Sequence, residues 1–206
     1  MAFYKNLKQA FSNPQDVTSL KVNIKTESIP EEISALSNLT TLYIQSKKVT
    51  HTPVWINQLE NLEVLYINSS SLESVDENIF RLKKLKSLNL SNCRIQSVTI
   101  PINASSALTD LNIGKNLLKK IPQNIQALES LENLHLSTNE ISSLPESLFE
   151  LQKIKKIFLD NNKLSQIPSF LKKMPTLNIL SIDNNPFSNE EKEKIEQEFG
   201  ISFTPI

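Results

Sequence analysis

Residues 131–153 read LENLHLSTNEISSLPESLFELQK. Leu131, Leu134 and Leu136 open the stretch, Asn139 interrupts it, and Ile141, Leu144, Leu148 and Leu151 follow at spacings of three and four. A period near two marks an extended strand, and a period near 3.6 marks a helical turn. The stretch therefore predicts a short strand, a turn at Asn139 and a helical or 3₁₀ segment behind Pro145. Proline suits that exit because it fixes φ and needs no donor partner. A buried Asn satisfies the backbone groups of a turn that has left its sheet.

The same triple begins at residues 39, 62, 85, 108, 131, 154 and 177, so every step is 23 residues. Val17, Leu20 and Val22 form a degenerate first copy, one residue shorter, which makes eight copies over 17–187. The Asn column holds Asn116, Asn139, Asn162 and Asn185, with Cys93 in the equivalent place one copy earlier. These residues resemble the leucine-rich repeat family, of the bacterial type with 23-residue LxxLxLxxNxLxxLPxxLxxL repeats. The resemblance implies an α/β fold: a right-handed solenoid with a curved parallel β-sheet on its concave face and short helical or 3₁₀ segments on its convex face. It also implies that Cys93 and the four asparagines form one structural ladder.

Both flanks read as helical caps, which solenoids need to close their exposed core ends. In 1–16, Phe3, Leu7, Ala10 and Phe11 share a helical face, and Asn13-Pro14 stops the helix. In 188–206, Ser188 and Glu191 match a capping box, Ile195 and Phe199 give an apolar face, and Gly200 stands at C′. Ile201–Phe203 is the candidate for a last strand. The expected organisation is one domain over 1–206, with caps at 1–16 and 188–206, behaving as a monomer.

Composition removes most other classes of function. Lys plus Arg and Asp plus Glu each number 22, so the net charge is zero and phosphate-driven nucleic-acid binding is not expected. Two glycines, Gly114 and Gly200, are too few and too distant for a phosphate-cradling loop. One cysteine excludes an internal disulfide framework and a cysteine-based zinc cluster. His51 and His135 lie four repeats apart, and no nucleophile–base pair falls within hydrogen-bond reach. The reading is therefore of a non-enzyme with no catalytic residues, no metal and no cofactor. No apolar run approaches the roughly 20 residues of a membrane span, so no membrane insertion is expected. The start lacks the apolar core of a secretory signal, and as written the chain reads as cytoplasmic.

Function is expected on the concave face. Its outward positions hold Tyr43, Val64 and Tyr66 toward one end and His135 and Phe158 toward the other, with Asn89, Asp110 and Asn112 between. Asp160 and Asp183 make one edge mildly acidic. Exposed aromatics suit the anchor points of a protein interface, although strands favour aromatic residues on packing grounds alone. Gly114 reads either as a place of close backbone approach or as a tolerated substitution. The leading expectation is a module that binds a protein partner on this face. The alternative is a secreted or cell-surface protein that binds a host protein or glycan, its signal peptide absent here. In the fourth repeat Pro101 is displaced and small residues replace the outer leucines, which predicts a flatter, less helical outer side.

Overall fold

The computed structural model describes residues 2–105 and 107–203. Among the described residues nine strands form one parallel sheet in chain order: β1 Ala2–Tyr4, β2 Val17–Ile24, β3 Thr41–Ser46, β4 Val64–Ser69, β5 Ser87–Asn89, β6 Asp110–Asn112, β7 Asn133–His135, β8 Lys156–Phe158 and β9 Ile179–Ser181. Short 3₁₀ segments such as Val54–Gln58 and Glu146–Glu150 return the chain between strands. Among the described residues none lies between β5 and β6, in the repeat that carries the displaced Pro101.

The 23-residue period appears directly as register. Leu65 pairs with Leu88, Leu88 with Leu111, Leu111 with Leu134 and Leu134 with Ile157. Each apolar column is thus a continuous stack. Leu134, Leu136, Ile141, Leu148 and Ile154 are fully buried, and burying such a side chain stabilises by roughly 1.5–3 kcal/mol. One repeat alone would leave both flanks of its apolar set in water, so stability belongs to the array.

The sheet has one strand more than the repeats supply. Ala2–Tyr4, read from sequence as the start of a helix, pairs parallel with β2 through Ala2 to Val17 and Tyr4 to Leu20. It covers an edge that would otherwise present unpaired backbone groups. The first helix, α1, spans only Leu7–Ser12, capped by Asn6, whose Oδ1 accepts from the Gln9 N–H at 2.8 Å. Phe3 therefore lies in a strand and not on the helical face with Leu7, Ala10 and Phe11.

At the other end α2 spans Asn189–Phe199. Ser188 Oγ accepts from the Glu191 N–H at 3.1 Å, but the reciprocal arm of the expected capping box is absent. Glu191 Oε1 instead accepts from the Ile167 N–H at 2.8 Å and ties the helix to the last repeat. Gly200, at φ 67°, ends the helix in the left-handed region, where glycine carries no Cβ penalty. Ile201–Phe203 forms no strand.

Candidate binding face and the polar ladder beneath it

Four carboxamides stitch the C-terminal half together. Asn116 Nδ2 donates to the Leu90 carbonyl at 2.9 Å, while its Oδ1 accepts from the Ile95 N–H at 3.0 Å. Asn139 does the same to Ile113 and Leu118, Asn162 to Leu136 and Ile141, and Asn185 to Leu159 and Leu164. Each Asn therefore serves the repeat before its own.

The N-terminal half solves the same problem with serines that the sequence reading did not single out. Ser46 Oγ donates to the Ile24 carbonyl and accepts from the N–H groups of Lys48 and Val49. Ser69 Oγ donates to the Val49 carbonyl at 2.7 Å. Both serines sit one residue before the Asn column, pair directly in the sheet, and are buried. The signal was present as Ser46 and Ser69 in one column and the lack of Asn in the next.

Cys93 lies where the two systems meet. Its Sγ has only weak contacts, 3.6 Å to the Ser91 carbonyl and 3.8 Å to the Ile67 carbonyl. The N–H that an Asn at this place would receive, that of Leu72, already bonds the Ser69 carbonyl at 3.0 Å. Burial pushes the Cys93 thiol above its usual range, against a smaller opposing hydrogen bond from the Ser69 backbone.

The turns differ correspondingly. In the C-terminal half the residue before the ladder position is left-handed: Asn92, Lys115, Thr138, Asn161 and Asn184 have φ between 54° and 61°. Asn accepts that conformation readily, whereas for a β-branched residue such as Thr138 it is strained.

Above this ladder the outward side chains form two aromatic pairs. Tyr43 and Tyr66 have ring centroids 5.8 Å apart, tilted by 41°. His135 and Phe158 stack at 4.4 Å with planes 6° apart. Burial holds the His135 imidazole below its usual pKa, with Asp110 opposing and Lys156 reinforcing that shift.

An open depression of about 520 Å³ lies between the pairs. Of the ten expected face residues, Tyr66, Asn112, His135 and Phe158 line it, and Tyr43, Val64, Asn89, Asp110, Asp160 and Asp183 do not. Lys115 and Thr138, absent from the expected set, also line it. Their column was legible as outward-facing, but its left-handed backbone was not.

The polar groups of the face are partly committed to the fold. Asn89 Oδ1 accepts from the Ser91 N–H and Asn112 Oδ1 from the Gly114 N–H, both at 2.9 Å. Asp110 accepts from Thr109 Oγ1 and Asn133 Nδ2, both at 2.7 Å. Asp160 accepts from the hydroxyls of Ser137 and Ser181 and from the Asp183 N–H. Of the two aspartates expected to make an acidic edge, Asp183 is exposed and Asp160 is half-buried. Gly114 is a site of close approach: a Cβ there would stand 3.0 Å from the Ser137 carbonyl oxygen and 3.3 Å from Asn112 Oδ1.

Among the described residues no group of three or more His, Cys, Asp or Glu is placed to hold a metal. Among them also, no helix is long and apolar enough to cross a membrane. Lysines pair with carboxylates one repeat away, Lys86 with Glu63, Lys155 with Glu132 and Lys163 with Glu140, each at 2.8 Å. Exposed pairs of this kind are screened by solvent and contribute little to stability.

The family model described as leucine rich repeat matches residues 37–95 and 129–187, more than half of the chain. No curated protein matches the sequence. Among solved structures, a leucine-rich repeat protein of Leptospira interrogans is 24% identical with a TM-score of 0.66, covering 95% of this chain and 62% of its own. An internalin from Listeria monocytogenes is 22% identical with a TM-score of 0.70, covering 90% of this chain and 53% of its own. A plant peptide hormone receptor, RGFR1, in complex with RGF2 is 26% identical with a TM-score of 0.65, covering 82% of this chain and 29% of its own. The chain thus spans less than two thirds of the length of each.

Proposed function

The chain belongs to the leucine-rich repeat family, and from that premise we propose that it is a non-enzymatic interaction module that binds a protein partner on its concave sheet. The observation that carries this reading is the pairing of Tyr43 with Tyr66 and His135 with Phe158 on either side of the depression. Rings locked against one another lose little side-chain freedom on binding and present large amphipathic area. The ladder beneath them fixes the strands that carry them, so the surface is preformed. A sheet face of this extent is large enough for the roughly 800 Å² per partner of a standard interface. Family membership and the receptor complex among the similar structures support the class of function.

A secreted or surface ligand-binding role is the second reading, favoured by likeness to an internalin and a receptor. It uses the same face and differs in compartment, which fractionation of the source cells would separate. The test of the first reading is affinity capture with mass spectrometry, using the native chain and a Tyr43/Tyr66/Phe158 triple alanine variant. A partner retained by the first and lost by the second supports it; equal capture by both removes it.

A further inference from the structure

We propose that the depression between Tyr66 and His135 is an acidic-residue subsite: it takes an Asp or Glu side chain of an extended partner segment whose neighbouring planar or apolar side chain lies against the His135 ring. This rests on the concave-face reading above and gives it a ligand chemistry.

Three observations converge. Lys115 is the one charged side chain among the described lining residues, and no carboxylate lines the depression. Its ammonium has no ion pair among the described residues. Next, Asn112 Oδ1 is consumed by the Gly114 N–H, which turns its Nδ2 outward as a donor without a partner among the described residues. The Asp110 and Asp160 carboxylates lie outside the lining and accept two or three hydrogen bonds each from the chain, so Lys115 is the charge within the depression itself.

The third observation concerns backbone cost. Of the five left-handed residues in the turn column, three are Asn, which that conformation suits. Asn92, Lys115 and Thr138 of this column all line the depression, and the last two hold the left-handed turn without the residue that suits it. Strained conformations held by a rigid framework concentrate at sites of function. Here they place a lysine and a threonine in a lining that already holds the Asn112 amide. The other polar groups of the lining are neutral, and a hydrogen bond between the Lys115 ammonium and a carboxylate is stronger than one between neutral groups. The stacking of His135 on Phe158 leaves one imidazole face toward Asn112, where a planar or apolar side chain finds a wall.

The test uses the full chain and two blocked peptides, Ac-Ala-Phe-Ala-Glu-Ala-NH2 and the same peptide with Gln for Glu, titrated by NMR at low and high salt. The Glu peptide is expected to move the Asn112 side-chain amide and the Lys115 and Thr138 backbone signals. It should bind up to about fivefold more tightly than the Gln peptide, the range of an exposed ion pair, with the preference fading at high salt. In Lys115→Asn, which keeps a residue suited to the left-handed turn, the preference should vanish. Equal affinity for the two peptides, a preference that survives Lys115→Asn, or no shift at millimolar peptide overturns the inference. The concave-face reading is judged separately: a captured partner lost on Phe158→Ala but indifferent to Lys115→Asn keeps that reading and removes this one.

Discussion

The carboxamide oxygen of Asn116 accepts the backbone N–H of Ile95 at 3.0 Å, from one repeat to the one before it. The same residue donates to the carbonyls of Leu90, Ile113 and Gly114. A side chain that satisfies both senses of hydrogen bond in a buried turn is costly to remove, because its partners stay buried without it.

Asn139→Ala should therefore destabilise the chain by about 1–3 kcal/mol, since it strands the buried Leu118 N–H and leaves the Ile113 and Leu136 carbonyls with Asn116 and Asn162 as their remaining side-chain donors. Urea unfolding followed by far-ultraviolet circular dichroism measures it. A loss below about 0.5 kcal/mol, the size of an ordinary surface substitution, would contradict the role given to the ladder.

Cys93 gives the converse case. Restoring the family's Asn there should not stabilise, because Leu72 already bonds Ser69 and the new Oδ1 would find no donor. Cys93→Asn is expected to cost about 1–2 kcal/mol, and Cys93→Ser less. A rise in Tm for Cys93→Asn would refute this. The raised thiol pKa also predicts that iodoacetamide at pH 8 labels the folded chain more slowly than the chain in urea.

How much could be read beforehand follows from what each feature depends on. The strand triples, the Asn column and the two aromatic clusters are single-column patterns, and the structure places them in register. The role of Cys93 depends on which N–H groups the previous repeat leaves free, a property of two turns together that no column shows. The strand at Ala2–Tyr4 was hidden because Phe3 also fits the helical spacing of Leu7 and Ala10. Lys115 and Thr138 were missed because their significance lies in a positive φ, which only the fold imposes.

Thr138→Asn should raise stability by about 1 kcal/mol, the scale of the left-handed penalty for a residue other than Gly or Asn. Differential scanning calorimetry would show an increase in Tm, and no change or a decrease would argue against strain at this turn.

His135 sets a pH dependence with a defined sign. Its folded pKa lies below the unfolded value of 6.5, so the folded state binds fewer protons between the two. The stabilisation is present above about pH 6.5 and is lost as pH falls through the lowered folded value. Glu63 and Glu140, held down by hydrogen bonds from Lys86 and Lys163, respond at lower pH, below their usual value of 4.5. Unfolding free energies at pH 7.5 and pH 5 should differ more for the native chain than for His135→Gln, and equal differences would remove the assignment.

The central claim is that the aromatic pairs of the concave sheet anchor a protein partner. Isothermal titration of the captured partner against the native chain, Tyr66→Ala/Phe158→Ala and the convex control Phe149→Ala, exposed by 41%, tests it most directly. The double variant should lose at least about 30-fold in affinity, as two anchor residues would, while Phe149→Ala stays within about twofold of native. Native affinity in the double variant, with the loss falling on Phe149→Ala instead, would contradict the assignment and move the binding face to the convex side.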